Sequence, residues 1–283
     1  MSGSAKPAGP LRAILLPSYT WNPYQRLLAG ALVVGGEEAE SVLEWSDRAP
    51  LLGTCLAQGR PDVLHVHGIH RFAGGPSARP RRREVFWYVL HLRLDKALGG
   101  RVVWTVHNLK AHGSKGTDPR DAQAHRVMIE RADAVIFHCD HAREALVELY
   151  GASDAARERM HVIAHGNYVR RYDVDADQAA AREILGLPAA GRVFAFVGSI
   201  RGYKNVGELL EAFRAVDELG ADDRLLICGM PMPAKLGRDL EAAAGDDERI
   251  VLRFERIPEE DLSGILRAAD VAVMPFRDIL TSG

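Results

Sequence analysis

Short apolar runs alternate along the chain with segments in which apolar residues recur every three or four positions. The runs predict strands, and the periodic segments predict helices. In the first half, strands are predicted at 12–17, 41–45, 62–67, 101–106, 134–138 and 161–164, and helices at 23–34, 83–97, 121–131 and 142–150. Strands that alternate with helices form parallel sheets joined by right-handed crossovers. The first half therefore predicts a Rossmann-like domain.

A second series of the same kind begins near Gly191. Its predicted strands are 193–197, 224–228, 250–254 and 271–275, and its predicted helices are 206–219, 233–244 and 258–268. We expect an α/β protein with two facing Rossmann-like domains, each with a parallel sheet. The expected boundaries are a flexible tail at 1–10, an N-terminal domain at 11–171, a linker at 172–190 and a C-terminal domain at 191–283. Four strands fall short of the usual five or six, so we expect the second domain to be incomplete.

Composition excludes several classes of protein. The 283 residues are 47% hydrophobic and 26% charged, which is typical of globular chains rather than disordered or fibrous ones. Lys and Arg number 36 against 38 Asp and Glu, so no basic excess favours nucleic acid. The three cysteines are far apart and no C-x-x-C occurs, so neither a disulfide framework nor a thiolate zinc site is indicated. The apolar run at 27–34 is too short to cross a membrane, and we expect a cytoplasmic protein.

Ligands of doubly wound sheets bind beyond the carboxyl ends of the strands. Several of these ends carry or adjoin His or Lys, which favours a ligand site in a cleft between the domains. The most informative end is 196–205, where a buried strand meets Gly198, then a cationic loop, then a helix. Glycine permits close backbone approach and free helix amides attract anions, so Arg201 and Lys204 are candidates to neutralise a diphosphate. The alternative is an ordinary turn with a surface lysine. No G-x-G and no P-loop pattern occurs.

Several segments carry a family resemblance. They resemble motifs of retaining glycosyltransferases of family 4 and follow one another in the family's order: VVWTVHNLKAH (102–112), ADAVIFHCDHAREAL (132–146) with VIAHGNY (162–168), FVGSIRGYKNVGELLEAF (196–213) and RAADVAVMPFRDILTSG (267–283). The resemblance implies the GT-B fold, with an acceptor-side first domain and a nucleotide-sugar-binding second domain. It implies transfer of a hexosyl group from a UDP- or GDP-sugar to a hydroxyl of a glycan, lipid-linked or small-molecule acceptor, with retention of configuration and without a metal or other cofactor.

The resemblance also assigns residues. It implies that His107 lies beside the donor sugar as the catalytic residue and that Arg256 and Ile257 bind the base. The residues implied to bind the donor diphosphate are Gly198, Ser199, Arg201, Lys204, Thr281, Ser282 and Gly283. Those implied on the acceptor or sugar side are Asn22, Tyr24, His70, Asn108, His165 and Asn167.

The chain departs from the family pattern at two places. Ser199 stands where many relatives have Arg, two positions before Arg201. The first Glu of the Glu-x7-Glu signature falls at about Thr281, in a Thr-Ser-Gly variant, and the second, which would bind ribose, lies beyond Gly283. We therefore expect a chain truncated in its second domain, with little or no activity alone. With no obvious carboxylate nucleophile at a strand end, a front-face mechanism is favoured, in which the diphosphate helps to deprotonate the acceptor.

Other readings remain open at this point. The first alternative is a metal-dependent hydrolase that uses His65, His67 and His70, since H-x-H at a strand end can bind a metal. No matching acidic ligand stands at a strand end, and the structural alternative is that one His packs inside the sheet while the others line the cleft. The second is a non-catalytic nucleotide-sugar-binding module, which fits the same cationic loop. Arg79, Arg81, Arg82 and Arg83 precede the apolar run 85–90. Basic residues beside exposed aromatic ones suit the anionic inner face of a membrane, and the alternative there is a core helix behind a solvated loop.

Overall fold

The computed structural model describes residues 10–17, 23–36, 38–41, 59, 61–69, 82–97, 99–110, 118–169, 172 and 177–277. Its described residues up to Gly166 form one compact unit, and those from Asn167 onward form another. Each unit contains one parallel sheet with helices. The predicted α/β architecture with two groups of parallel strands is therefore confirmed.

Unit 1 is built on a sheet of six parallel strands in the order β2-β1-β3-β4-β5-β6. The strands are β1 (Arg12–Leu16), β2 (Glu38–Ser41), β3 (Val63–Val66), β4 (Arg101–Thr105), β5 (Ala134–Phe137) and β6 (Met160–Val162). The helices are α1 (Tyr24–Val34), α2 (Arg82–Ala97), α3 (Pro119–Arg131), α4 (Asp140–Tyr150) and α5 (Asp154–Arg157). Buried side chains of the central strands, Trp104 and Phe137 among them, form the core.

Local sequence explains where these elements begin. The Asp118 carboxylate caps α3 by accepting a hydrogen bond from the Arg120 amide at 2.8 Å, and Pro119 occupies the first helical turn, where its missing N–H costs nothing. Parallel pairing places the carboxyl ends of β1, β3, β4, β5 and β6 at one edge of the sheet. Side chains that follow these strands are thereby brought together although they are far apart in sequence.

Unit 2 contains four parallel strands in the order β10-β7-β8-β9. They are β7 (Val193–Val197), β8 (Arg224–Cys228), β9 (Ile250–Arg253) and β10 (Val271–Ala272). The helices are α6 (Gln178–Leu185), α7 (Val206–Arg214), α8 (Ala234–Ala244) and α9 (Glu259–Ala268). Apolar side chains pack on both faces of the sheet, because α7 and α8 cover one face and α6 and α9 cover the other.

A buried arginine links helix α6 to segments of unit 2 that lie far from it in sequence. The Arg182 side chain, 5% exposed, donates to the carbonyl oxygens of Ala268 and Ala189 and pairs with the Asp270 carboxylate at 2.5 Å. Asp270 in turn accepts from the Val193 amide at 2.7 Å. The network fixes α6 to the first strand of the unit. It shows that the charged segment predicted as a linker contains a helix that packs on this core.

Several predicted elements have other bounds in the structure, among them the strand expected at 271–275, which covers only Val271–Ala272. The second strand was expected at 41–45, and it lies at Glu38–Ser41, with residues 42–45 outside the described residues. Gly35 and Gly36 end α1, the latter at φ 90°, so the strand begins almost at once. The helix expected at 206–219 ends at Arg214. Within the part of the chain that the structure describes, no helix is both long and apolar enough to cross a membrane.

Candidate functional site

Two glycines bring the ends of β7 and β8 into backbone contact in unit 2. Gly198 follows β7 with φ 128°, and Gly229 follows β8 with φ 145°. A Cβ on Gly229 would lie 1.9 Å from the Gly198 carbonyl oxygen, so no side chain fits there. The Gly198 amide donates to the Cys228 carbonyl at 2.9 Å. The loop that follows β7 therefore starts from a closely held position.

The next residues of this loop are anchored to the β8 loop. Ile200 is fully buried, its amide donates to the Met230 carbonyl at 2.9 Å, and its own carbonyl accepts from the Met232 amide at 2.8 Å. A single 3₁₀ turn over Gly202–Lys204 follows, and Asn205, at φ 51°, leads into α7 without a side-chain cap. The first-turn amides of α7 therefore keep their capacity to bind an anion.

Lys204 is a half-buried cation that pairs with no acidic residue in the part of the chain that the structure describes. Its Nζ lies 5.7 Å from the centroid of the Phe196 ring and 5.0 Å from that of Phe276. No carboxylate of the described residues lies within ion-pair distance of it. Burial, with a smaller contribution from Arg201, lowers the pKa of Lys204. A partly desolvated ammonium that lacks a counter-charge is stabilised when an anion binds.

The other predicted donor-side residues lie at neighbouring strand ends. Ser199 is exposed beside Gly198, and the Arg201 guanidinium contacts the Met232 Sδ at 3.6 Å. Arg256 is exposed between β9 and α9, while Ile257 packs against the core of the unit. The predicted phosphate-binding residues Thr281, Ser282 and Gly283 lie outside the described residues.

In unit 1, a tyrosine is surrounded by the histidines of four strand ends. Tyr24 begins α1, and its ring centroid lies 5.6 Å from that of His67, 5.1 Å from His107, 5.6 Å from His138 and 4.8 Å from His165. The four histidines follow β3, β4, β5 and β6 in turn. We call these five residues the tyrosine–histidine cluster.

Hydrogen bonds hold this cluster in place. The His67 Nδ1 and His107 Nε2 share a hydrogen bond of 3.2 Å. The hydroxyl of Tyr24 bonds the side chain of Thr105, whose Oγ1 is also 2.8 Å from the Nε2 of His65. His65, which is buried on β3, is thus linked to Tyr24 of the cluster through the side chain of Thr105.

Burial keeps three imidazoles of the cluster, those of His67, His107 and His138, neutral, and likewise that of His65. It lowers the pKa of His65 to about 4, and together with His138, His165 and His65 it lowers that of His107 to about 3. Burial is also the main cause that lowers the pKa of His67 and His138. At neutral pH these rings therefore donate and accept hydrogen bonds as uncharged groups.

The structure brings together only some of the predicted acceptor-side residues. Tyr24, His107 and His165 lie in the cluster, and Asn108 is half-buried directly after His107. Asn167 is exposed in unit 2, where its side chain accepts from the Val169 amide, and Asn22 and His70 lie outside the described residues. The sequence predicts no substrate-binding role for His67 or His138, although each is the last residue of a predicted strand, and it offers His67 only as an alternative metal ligand.

The histidines considered as metal ligands have other contacts. The His65 Nε2 is engaged by Thr105 and the His67 Nδ1 by His107. His70 lies outside the described residues. Among those that are described, no group of three or more His, Cys, Asp or Glu is arranged to hold a metal ion.

Comparison with known families divides the chain in the same order as its motifs. Residues 45–168 match the family described as Glycosyltransferase Family 4. Residues 191–283 match the family described as Glycosyl transferases group 1. The loop that follows β7 lies in the segment that matches the second family, and four of the five residues of the tyrosine–histidine cluster lie in the segment that matches the first.

Individual relatives and structures agree with these matches. A D-inositol 3-phosphate glycosyltransferase of Corynebacterium glutamicum (strain R) is 28% identical over 231 residues, which cover 72% of this chain and 54% of that protein. A GDP-mannose:glycolipid 4-beta-D-mannosyltransferase of Xanthomonas campestris pv. campestris is 27% identical over 267 residues, 94% of this chain and 67% of that protein. The chain thus spans about half the length of the first relative.

The fold is similar to that of the catalytic domain of starch synthase IV from Arabidopsis thaliana, solved with ADP and acarbose. The TM-score is 0.71 at 13% identity, over 97% of this chain and 80% of that one. At this identity the similarity concerns the fold alone.

Proposed function

Because the chain belongs to the family 4-like group 1 glycosyltransferases, we propose that it serves to transfer a hexosyl group from a nucleotide-diphosphate sugar to a hydroxyl acceptor. The observation that carries the proposal is the half-buried Lys204, without an acidic partner in the described residues, behind Gly198 and before α7. The donor is a UDP- or GDP-sugar. The acceptor is a glycan, a lipid-linked glycan or a small hydroxylated molecule.

Three positive contributions meet at the end of β7. Lys204 and Arg201 follow the strand within seven residues of its last residue, and the uncapped amides of α7 come next. A helix start is normally an unfavourable place for cations, because the macrodipole already makes it positive. A bound diphosphate removes this conflict, since each of the three contributions then faces negative charge. Glycine at 198 leaves room for the phosphate to approach the backbone.

The reaction follows from this charge distribution. The bond between the anomeric carbon and the diphosphate oxygen breaks, its electron pair goes to the diphosphate, and the acceptor oxygen bonds to the anomeric carbon. Lys204, Arg201 and the helix amides stabilise the charge that develops on the leaving group, so we propose that no metal is required. The tyrosine–histidine cluster consists of imidazoles and a phenol rather than carboxylates, which favours front-face transfer with retention, the diphosphate taking the acceptor proton.

The remaining residues take roles in keeping with their places. His107 hydrogen-bonds the transferred hexose and is the proposed catalytic residue. Tyr24, Asn108 and His165 bind the sugar or the acceptor. Arg256 and Ile257, at the end of β9, contact the nucleotide base.

Donor binding tests this proposal on the chain of 283 residues. Isothermal titration with UDP, GDP and ADP identifies the base, and Lys204→Met is expected to weaken binding of the preferred nucleotide by about 10- to 100-fold, the loss of one charge-assisted hydrogen bond. Lys235→Met is the matched control, because Lys235 is exposed in the same unit and pairs with Asp239 at 2.6 Å. Equal affinities of the two variants would contradict the diphosphate site. Formation of a glycosylated product by a protein extended to include the second Glu of the signature, with its anomeric configuration read by NMR, separates a transferase from a binding module; the 283 residues alone are expected to form little or no product.

We further propose that the first unit contacts an anionic membrane surface from the cytoplasmic side. The exposed fractions of Phe86 and Trp87 on α2 are 60% and 40%, and Leu94 on the same helix is 43% exposed. Arg82 and Arg83 are the first residues of α2, whereas Arg79 and Arg81 lie outside the described residues. Exposed aromatic rings next to basic residues suit the interface of an anionic bilayer, where a lipid-linked acceptor would be found.

A further inference from the structure

His138 has a hydrogen-bond role that the transfer reaction described above does not use. It follows β5, and its Nδ1 lies 3.0 Å from the carbonyl oxygen of Ile163. A carbonyl oxygen only accepts, so Nδ1 must carry the proton of this hydrogen bond. Burial and the neighbouring His165 lower the pKa of the ring, against a smaller opposing effect of Ile163. The neutral ring therefore presents Nε2 as a lone-pair acceptor.

This Nε2 is buried, and no group of the described residues donates a hydrogen bond to it. The ring lies within the tyrosine–histidine cluster, 5.6 Å from Tyr24, 5.4 Å from His107 and 4.9 Å from His165 between centroids. A buried acceptor without a donor loses the hydrogen bond that it makes with water in the unfolded chain. A ligand that brings a donor restores that bond, so the cluster favours ligands with donor groups.

The surroundings define the chemical class of this ligand. The titratable groups that face His138 are Tyr24 from α1, His107 from the end of β4 and His165 from the end of β6. The phenol of Tyr24 is held protonated by burial, which raises its pKa. At neutral pH the phenol of Tyr24 and the imidazoles of His107 and His138 therefore offer hydrogen bonds without net charge. A hydroxyl group of a neutral ring matches it better than a phosphate or a carboxylate does.

We propose that His138 is a substrate-binding residue whose Nε2 accepts a hydrogen bond from a ring hydroxyl of a neutral polyol, the glycosyl acceptor. The inference rests on the proposed function for the name of the ligand, but not for the binding itself. A residue three positions away, His141, is exposed on α4 and provides a matched comparison.

Nitrogen NMR of ¹⁵N-histidine-labelled protein tests the proposal without a donor nucleotide. In the 283-residue chain at neutral pH, His138 is expected to show a protonated Nδ1 and an unprotonated Nε2. Methyl α-D-mannoside, methyl α-D-glucoside and myo-inositol are added in turn as probes. At least one is expected to shift the Nε2 resonance of His138 in the direction of hydrogen-bond acceptance. A protonated Nε2, or no response to any of the three probes, would overturn the proposal.

Two substitutions separate ligand binding from structural support. His138→Asn keeps a donor for the Ile163 carbonyl and removes the Nε2 acceptor, so it is expected to retain the unfolding temperature while binding of the responding polyol weakens about fivefold to tenfold. His141→Asn is expected to change neither quantity. Unaltered polyol affinity in a folded His138→Asn protein would refute the assignment. Loss of polyol binding with intact UDP or GDP binding would leave the donor site standing, and the converse would leave the polyol site standing.

Discussion

Replacing Gly229 by alanine tests whether the loops after β7 and β8 together support the proposed donor site. The added Cβ would lie 1.9 Å from the Gly198 carbonyl oxygen, whereas real Cβ contacts essentially never fall below 3.0 Å. The carbonyl would have to retreat by about 1.1 Å. The backbone at Gly229, with φ 145°, is also one that L side chains rarely adopt. Neither problem can be relieved by rotation of a side chain, because both concern the backbone.

The cost of Gly229→Ala has two parts. Forcing an extra carbon into a packed backbone contact costs about 1–3 kcal/mol, and a residue held in a glycine-only conformation costs about 1–3 kcal/mol more. We expect a total near 3 kcal/mol, which lowers the melting temperature of a domain of about 100 residues by at least about 10 °C. Gly198 lies next to Lys204, since a Cβ on Gly198 would be 3.5 Å from the Lys204 Nζ. Displacement of Gly198 is therefore expected to disturb the loop after β7 as well.

Differential scanning calorimetry and nucleotide titration measure the two effects separately. Gly229→Ala is expected to lower the unfolding temperature and, below that temperature, to weaken UDP or GDP binding by about tenfold or more, the scale that a shift of about 1 Å produces at a positioned site. Gly264→Ala is the control, since Gly264 is in α9 with open space at its Cβ position and alanine there is expected to stabilise by about 0.5–1 kcal/mol. A Gly229→Ala protein as stable as the unaltered chain would refute the reasoning.

Two further predictions concern unit 1. Burial lowers the pKa of His65 from 6.5 to about 4, so between these pH values His65 binds a proton only in the unfolded chain. The free energy of unfolding is therefore expected to fall by roughly 3 kcal/mol as the pH drops through this window. His65→Gln places a group that does not titrate beside Thr105 and should flatten this part of the pH profile of urea unfolding; an unchanged profile would contradict the predicted direction. The double variant Phe86→Ser/Trp87→Ser should reduce sedimentation with phosphatidylglycerol vesicles without altering the small binding to phosphatidylcholine vesicles. Val34→Ser, at an exposed apolar position on α1, should leave both unchanged. Equal vesicle binding by the unaltered chain and these two variants would contradict the proposed membrane surface.

The parts of the fold that sequence could predict are those that bury apolar runs. Strands β7 and β8 read VFAFV and RLLIC, and both are central in their sheet, where two neighbours and two covered faces require apolar residues. Strand β2 reads EAES and lies at the edge of the first sheet, paired only with β1. An edge strand needs no continuous apolar run, so its position could not be read from hydrophobicity.

A second element, helix α6, is not predicted by hydrophobicity because its segment is rich in charged residues. Helix α6 lies in a segment that composition alone suggests is a solvated linker, yet Arg182 is 5% exposed and donates to three carbonyl oxygens. An arginine becomes a buried bridge only when acceptors from distant parts of the chain surround it. Asp270, its ionic partner, is 88 positions away. No local pattern carries that information.

The two candidate sites also differ in how far the sequence alone predicts them. The donor-side loop is continuous in sequence, so a strand, a glycine, two cations and a helix start sufficed to single out Lys204. The tyrosine–histidine cluster is assembled from the ends of four strands and the start of α1, and its composition depends on the order of strands in the sheet. The strand-end rule could nominate His138 among many residues, but its tautomer and its contact with Tyr24 required coordinates.

The contrast in charge between the two sites has a chemical consequence. The loop after β7 carries the basic side chains of Arg201 and Lys204, whereas burial holds His67, His107 and His138 neutral. If the imidazoles were protonated, the first unit would itself attract a diphosphate and would bind the leaving group in place of hydroxyls. Under the proposed function, their lowered pKa values would separate two tasks, because the loop after β7 would attract the anionic part of a nucleotide sugar while the neutral rings would recognise hydroxyl groups by hydrogen bonds alone. We therefore propose that specificity for a neutral acceptor depends on how deeply these histidines are buried.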